Sequence, residues 1–99
     1  MPKQLSVAAL SILHAVASGV AHGFDIIDHT KLPGGTVYPA LSRMERDGFL
    51  RSGWEDVDAA RADGRPPRRN YRVTREGLRA MNDALARVHA LKPIKHGRS

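Results

Sequence analysis

Five arginines, Arg61, Arg65, Arg68, Arg69 and Arg72, fall within twelve residues around Pro66 and Pro67, and only Asp63 opposes them inside that stretch. Guanidinium groups at this density draw a polyanion by releasing its counterions. The two prolines stiffen the loop, so less chain entropy is lost when it docks. Arg65, Arg68 and Arg69 are therefore candidates to lie along a phosphate backbone or to enter a narrow minor groove, where the negative potential is enhanced. A second group, Tyr38, Pro39, Ser42, Arg43 and Arg46, shares one side of a helical stretch that opens at Thr36, which is counted with them. Either arginine can engage guanine, Ser42 a base or a phosphate, and Tyr38 a phosphate oxygen or a thymine methyl. The competing reading is internal: Arg43 and Arg46 pair with Glu45, Asp47 or the acids of the preceding helix, and the loop arginines only solvate a surface.

Other reactive residue types lead elsewhere or nowhere. His14, His22, His29, His89 and His96 lack the i, i+4 carboxylate-supported spacing of a hydrolase helix, and there is no cysteine, so no metal site and no cofactor is expected. His22, beside Gly23, reads as a helix-start residue whose ring ties down a turn. Glu55, Asp56 and Asp58 sit at a strand end without a nucleophile or a phosphate-cradling glycine loop, and read as a counterweight to the arginines rather than as acid/base catalysts. Trp54 is expected to pack the hairpin against the helices, the alternative being stacking on an aromatic effector. No enzyme is expected.

The charge balance supports a polyanionic partner. The chain has 99 residues and a formal net charge of +6. Residues 1–50 are neutral on balance, so the excess lies in the second half, around the arginine loop and beyond it. Nucleic acid leads as the partner, ahead of an acidic protein or an anionic membrane surface. No apolar run approaches a membrane span, and the amino terminus, with Lys3 and Gln4 leading into an amphipathic pattern, does not read as a signal peptide; a cytoplasmic protein is expected.

The elements that must hold these residues follow from apolar periodicity. Leu5, Ala8, Ala9, Ile12, Leu13 and Val16 recur at helical spacing up to Gly19. Residues 21–29 form a short second helix with Phe24 and Ile27 on one side, and residues 31–35 close it as a turn. Val37, Leu41 and Met44 define a third helix over residues 36–47, with Thr36 as N-cap, Pro39 in the first turn and Gly48 as its stop. Residues 49–57 and 71–73 make a two-stranded hairpin with a long basic tip. Thr74 caps a fourth helix whose Leu78, Met81, Leu85, Val88 and Leu91 line one stripe. Leu78 and Met81 are expected to pack on the parent domain, while Leu85, Val88 and Leu91 project beyond it and call for a second copy of the chain.

This order is mainly α with a small β-hairpin, a winged helix-turn-helix: a three-helix core and two-stranded wing over residues 1–73, a dimerisation helix over 74–92 and a flexible basic tail over 93–99. In that arrangement the third helix enters the major groove.

The motifs His22-Gly23-Phe24-Asp25-Ile26-Ile27, Gly35-Thr36-Val37-Tyr38-Pro39-Ala40-Leu41, Trp54-Glu55, Gly64-Arg65-Pro66-Pro67-Arg68-Arg69-Asn70-Tyr71 and Thr74-Arg75-Glu76-Gly77 occur in this order. Together they resemble the PadR family of bacterial transcriptional regulators over roughly residues 5–81. The resemblance implies a dimeric, repressor-like DNA-binding protein that holds a palindromic operator with its wing and third helix. It also implies that a small aromatic or drug-like effector is possible. Pro33-Gly34 departs from the serine-proline that many members carry there. The remaining alternative is a winged-helix module that binds an acidic protein partner.

Overall fold

The computed structural model describes residues 5–90. Leu91 and the basic tail therefore lie outside the described residues. Helix α1 (Val7–Ala17) starts where the Ser6 hydroxyl accepts the Ala9 amide at 3.0 Å. Its inward stripe of Ile12, Leu13 and Val16 meets Ile26 of α2 (Gly23–Thr30) and Val37, Leu41 and Met44 of α3 (Gly34–Arg46). Leu50 and Met81 complete this core. Phe24, despite its size, is 81% exposed, and Ile26 takes the inward position on α2.

The third helix begins earlier than the apolar pattern predicts. Pro33, not Thr36, is its N-cap, because the Pro33 carbonyl accepts the amides of Thr36 and Val37 at 2.9 and 3.0 Å. Pro39 consequently stands inside the helix rather than in its first turn. The bond it cannot donate is owed to the carbonyl of Gly35; both residues are exposed, so water can satisfy that acceptor. The turn between α2 and α3 shrinks to residues 31–33, with Lys31 in the left-handed region at φ 62°.

Strands β1 (Leu50–Trp54) and β2 (Arg69–Val73) pair antiparallel, with Leu50 opposite Val73 and Trp54 opposite Arg69. The Tyr71 amide donates to the Ala21 carbonyl at 2.9 Å, which stitches the base of this wing to the entrance of α2. The expected loop between the strands contains a short helix, α4 (Val57–Ala62), capped by Asp56. Helix α5 (Arg75–Ala90) starts as expected from Thr74, whose hydroxyl accepts the Gly77 amide at 2.9 Å and donates to the Gly48 carbonyl at 2.6 Å.

Candidate nucleic-acid interface

The seat of α3 decides which of its side chains are free. Val37, Ala40, Leu41 and Met44 are buried, so Tyr38, Pro39, Ser42, Arg43 and Arg46 are turned outward, and each is exposed. Thr36 is half-buried. Among the described residues no ion pair is formed by Arg43 or Arg46. Tyr38 has a second function: its ring lies over Gly23, where an added Cβ would come 2.7 Å from the ring. A side chain at position 23 would oblige the Tyr38 ring to move aside.

The wing treats its arginines differently. Arg65, expected on the phosphate backbone, is folded back: both of its terminal nitrogens donate to the Glu55 carboxylate, and Nη2 also reaches Asp63 at 3.2 Å. Glu55 additionally accepts the Arg68 amide at 3.1 Å and the Arg68 guanidinium at 3.4 Å. The hydrogen bonds from Arg65, with those from Arg68 behind them, hold the Glu55 carboxyl at about 2, well below the usual carboxylate range, and the Glu55 carboxylate in turn pushes the Arg65 guanidinium up. Glu55 thus matches the counterweight expected of it, and Arg65 is tied down rather than presented. Arg68 is more open, with 42% of its side chain exposed.

Arg69 links wing and helix. Its Nε donates to the Ser52 hydroxyl at 3.0 Å, Ser52 donates to Glu45 at 2.6 Å, and the Arg69 guanidinium lies 3.7 Å from the same Glu45 carboxylate. It also covers the Trp54 ring at 5.4 Å. Trp54, expected to pack the hairpin against the helices, is instead 69% exposed at the outer end of β1, where the Arg69 guanidinium covers its ring. His22 stands at the start of α2 as expected, but its ring ties down no turn: it makes no capping bond and lies against β2 instead, with Nδ1 3.3 Å from the Arg69 carbonyl oxygen.

Between the start of α2, α3 and the wing lies a cleft of about 340 Å³ lined by His22, Phe24, Tyr38, Arg68, Arg69 and Tyr71 among others. Burial raises the Tyr71 hydroxyl above its ordinary range. Sequence reasoning missed Phe24 here. Its signal was the absence of an apolar residue at position 28, where a buried Phe24 would have its i+4 neighbour and the chain has Asp28. Arg72, already named with the loop arginines, stands directly opposite Arg51 across the strands, and both are exposed.

On α5 the stripe divides. Met81, a member of the stripe and expected to pack on the parent domain, is buried in the chain's own core, and Gly77 and Ala84 are buried beside it on the helix. Leu78, expected to pack inward, is exposed with Leu85 and Val88. Gly77 has no room for a side chain, because an added Cβ would run into the Phe49 carbonyl oxygen. Among the described residues no group of three or more histidine or acidic side chains could hold a metal ion, and no helix is long and apolar enough to cross a membrane.

Two short helices joined by a three-residue turn, followed by a hairpin stitched to the first helix of the pair, define a winged helix-turn-helix of the transcription-regulator class. The model of the Transcriptional regulator PadR-like family matches residues 12–83, and the chain belongs to that family. It is 36% identical over 85 residues, 81% of this chain and 74% of the relative, to the transcriptional regulator Rv3488 of Mycobacterium tuberculosis. Among solved structures it is similar to a PadR-like transcription factor from Bacteroides fragilis, at 26% identity and a TM-score of 0.69, covering 82% of this chain and 79% of that one. A PadR family regulator from Clostridium difficile shares the fold at a TM-score of 0.75 and 20% identity, covering 85% and 88%. Members of this family regulate transcription and are not enzymes.

Proposed function

We propose that the chain is a sequence-specific double-stranded-DNA-binding repressor that acts as a homodimer on a palindromic operator. The observation that carries the reading is the outward face of α3, where Ser42, Arg43 and Arg46 are exposed and neither arginine is held by a carboxylate among the described residues. Inserted in the major groove, Arg43 and Arg46 meet guanine edges or phosphates, Ser42 a base or phosphate, and Thr36, Tyr38 and Pro39 the backbone beside them. Arg68 and Arg69 run along the flanking phosphates or reach the minor groove; Arg65 is not counted among the contacts. The exposed side chains Leu78, Leu85 and Val88 support a second copy on α5. A two-fold pair would set the recognition helices about 34 Å apart, one turn of duplex, and repression follows from occupying a promoter.

Selection of bound sites from random duplex, followed by titration against the selected site, tests this. The expected result is a two-fold symmetric site preferred over random duplex by about 10³-fold or more. Equal affinity for every duplex would overturn the reading, and tight capture of an acidic protein with poor competition by DNA would replace it with an interaction module.

A further inference from the structure

The two strands of the wing are anchored to the start of α2, but the excursion that joins their ends is not. Backbone bonding joins β2 to Ala21, and the His22 ring lies against the Arg69 carbonyl. Beyond Trp54, however, α4 stands largely apart from the other helices and strands. Its buried side chain is a single alanine, Ala60. So little apolar area cannot fix a fourteen-residue excursion between two strand ends.

What closes the excursion is one carboxylate. The Glu55 amide donates to the Arg68 carbonyl at 2.7 Å, continuing the strand ladder by one step. The Glu55 side chain then gathers the Arg65 guanidinium, the Arg68 amide and the Arg68 guanidinium, three groups from the returning arm. Only 15% of the Glu55 side chain and 26% of the Arg65 side chain remain exposed, so the pair is shielded from much of the solvent screening that weakens surface ion pairs.

We infer that Glu55 is a positioning residue for DNA binding: through Arg65 and Arg68 it fixes the path of the returning arm, so that Arg68 is delivered already ordered beside Arg69, which the strand and its own contacts hold. The inference rests on the proposed DNA-binding reading. It also runs against simple electrostatics. A carboxylate next to a phosphate-binding surface repels the ligand, so deleting its charge should tighten binding if charge were all that mattered. A clasp has the opposite sign, because its loss leaves the Arg68 side chain and the arm that carries it to be ordered at the moment of docking.

The experiment compares the full chain with Glu55→Gln, Arg65→Gln, the double variant, and the charge-reversed pair Glu55→Arg with Arg65→Glu, all titrated against the selected duplex at several salt concentrations. Glu55→Gln is expected to weaken binding about ten-fold, the ordering cost of one long side chain and the arm that carries it. Arg65→Gln should weaken it to a similar extent and leave the slope of affinity against salt unchanged, and the double variant should be no worse than either single one. The reversed pair should recover part of the loss. Trypsin supplies a readout without DNA: cleavage after Arg61 and Arg68 should accelerate in Glu55→Gln while the melting temperature of the helical core holds.

Unchanged or tighter binding by Glu55→Gln overturns the inference, as does an Arg65→Gln variant whose salt slope falls by about one, the mark of a direct phosphate contact. A parent chain that shows no duplex preference instead sinks the DNA-binding reading, a result visible before any variant is made. If Glu55→Gln lowers the core melting temperature, Arg65→Gln carries the comparison, and unaltered wing cleavage in that variant counts against the clasp.

Discussion

The two arginine-bearing regions, the outward face of α3 and the wing, differ in what holds them and in what their charges are already doing. Arg43 and Arg46 ride on a helix seated by Val37, Leu41 and Met44, all buried, and no ion pair among the described residues engages them. Arg65, Arg68 and Arg69 ride on a segment held chiefly by polar contacts, and each already faces a carboxylate of its own chain, Glu55, Asp63 or Glu45. A tally of basic residues ranks the wing first, with five arginines in twelve positions. Availability ranks α3 first, because a guanidinium already paired must exchange one anion for another, and much of the gain cancels.

If packing seats α3, the largest effect in the molecule should come from beneath it. Leu41 is fully buried between α1 and α3. Leu41→Ala is expected to cost about 2–5 kcal/mol in urea-induced unfolding, through lost burial and the cavity left behind. A loss below about 1 kcal/mol would mean that the core collapses freely around the site and that apolar packing does not fix the helix.

Next comes the removal of the free charges. Arg43→Ala with Arg46→Ala should leave the fold stable, since both side chains are exposed, but should weaken duplex binding by about 2–4 kcal/mol if each arginine makes one good base or phosphate contact. The slope of log affinity against log salt should shrink by about 0.9 for each arginine that met a phosphate. A smaller loss than for a matched change in the wing would reverse the ranking. Arg69→Ala is expected to fall below it, at about 1 kcal/mol, because Arg69 gives up Ser52, Glu45 and the Trp54 ring before it can meet DNA. Isothermal titration against the selected site separates the two cases.

The same contrast marks where the sequence could be read. The apolar stripes of α1, α3 and α5 are legible because burial imposes a period, and the outward face of α3 follows from its inward one. The start of α3 was not legible. A rule that puts threonine at a helix entrance and proline in its first turn competes with a Pro33 carbonyl that accepts two amides, and the latter prevails because the exposed Gly35 carbonyl can turn to water. Helix α4 escaped for want of a period, since its six residues bury one alanine. The pairing of Arg65 with Glu55 joins residues ten apart in sequence through a turn whose path no local pattern states. Acid near arginine was visible; which arginine it would claim was not. Phe24 and Trp54 erred toward burial because size favours burial on average, whereas both stand at the edge of the basic surface.

Acid offers the gentlest way to separate the two regions. The Glu55 carboxyl is lowered from 4.5 to about 2, chiefly by its hydrogen bonds from Arg65. A depressed carboxylate lends its stabilisation in full above the unfolded value and loses it as pH falls toward the folded one. The wing should therefore be indifferent between pH 7 and pH 5 and should loosen from about pH 4.5 down to about 2. The side chains that seat α3 are apolar and carry no such dependence. Trp54, the single tryptophan of the chain and the residue before Glu55, reports the wing by fluorescence, while helical circular dichroism reports the core. The expected record is a Trp54 signal that moves in the acid window ahead of the helical signal, and a Glu55→Gln variant in which that early step is missing. Were the tryptophan signal to move between pH 7 and pH 5, or to move identically in the variant, a group other than Glu55 would be holding the wing, and the contrast between a packed helix and a charge-clasped arm would lose its basis.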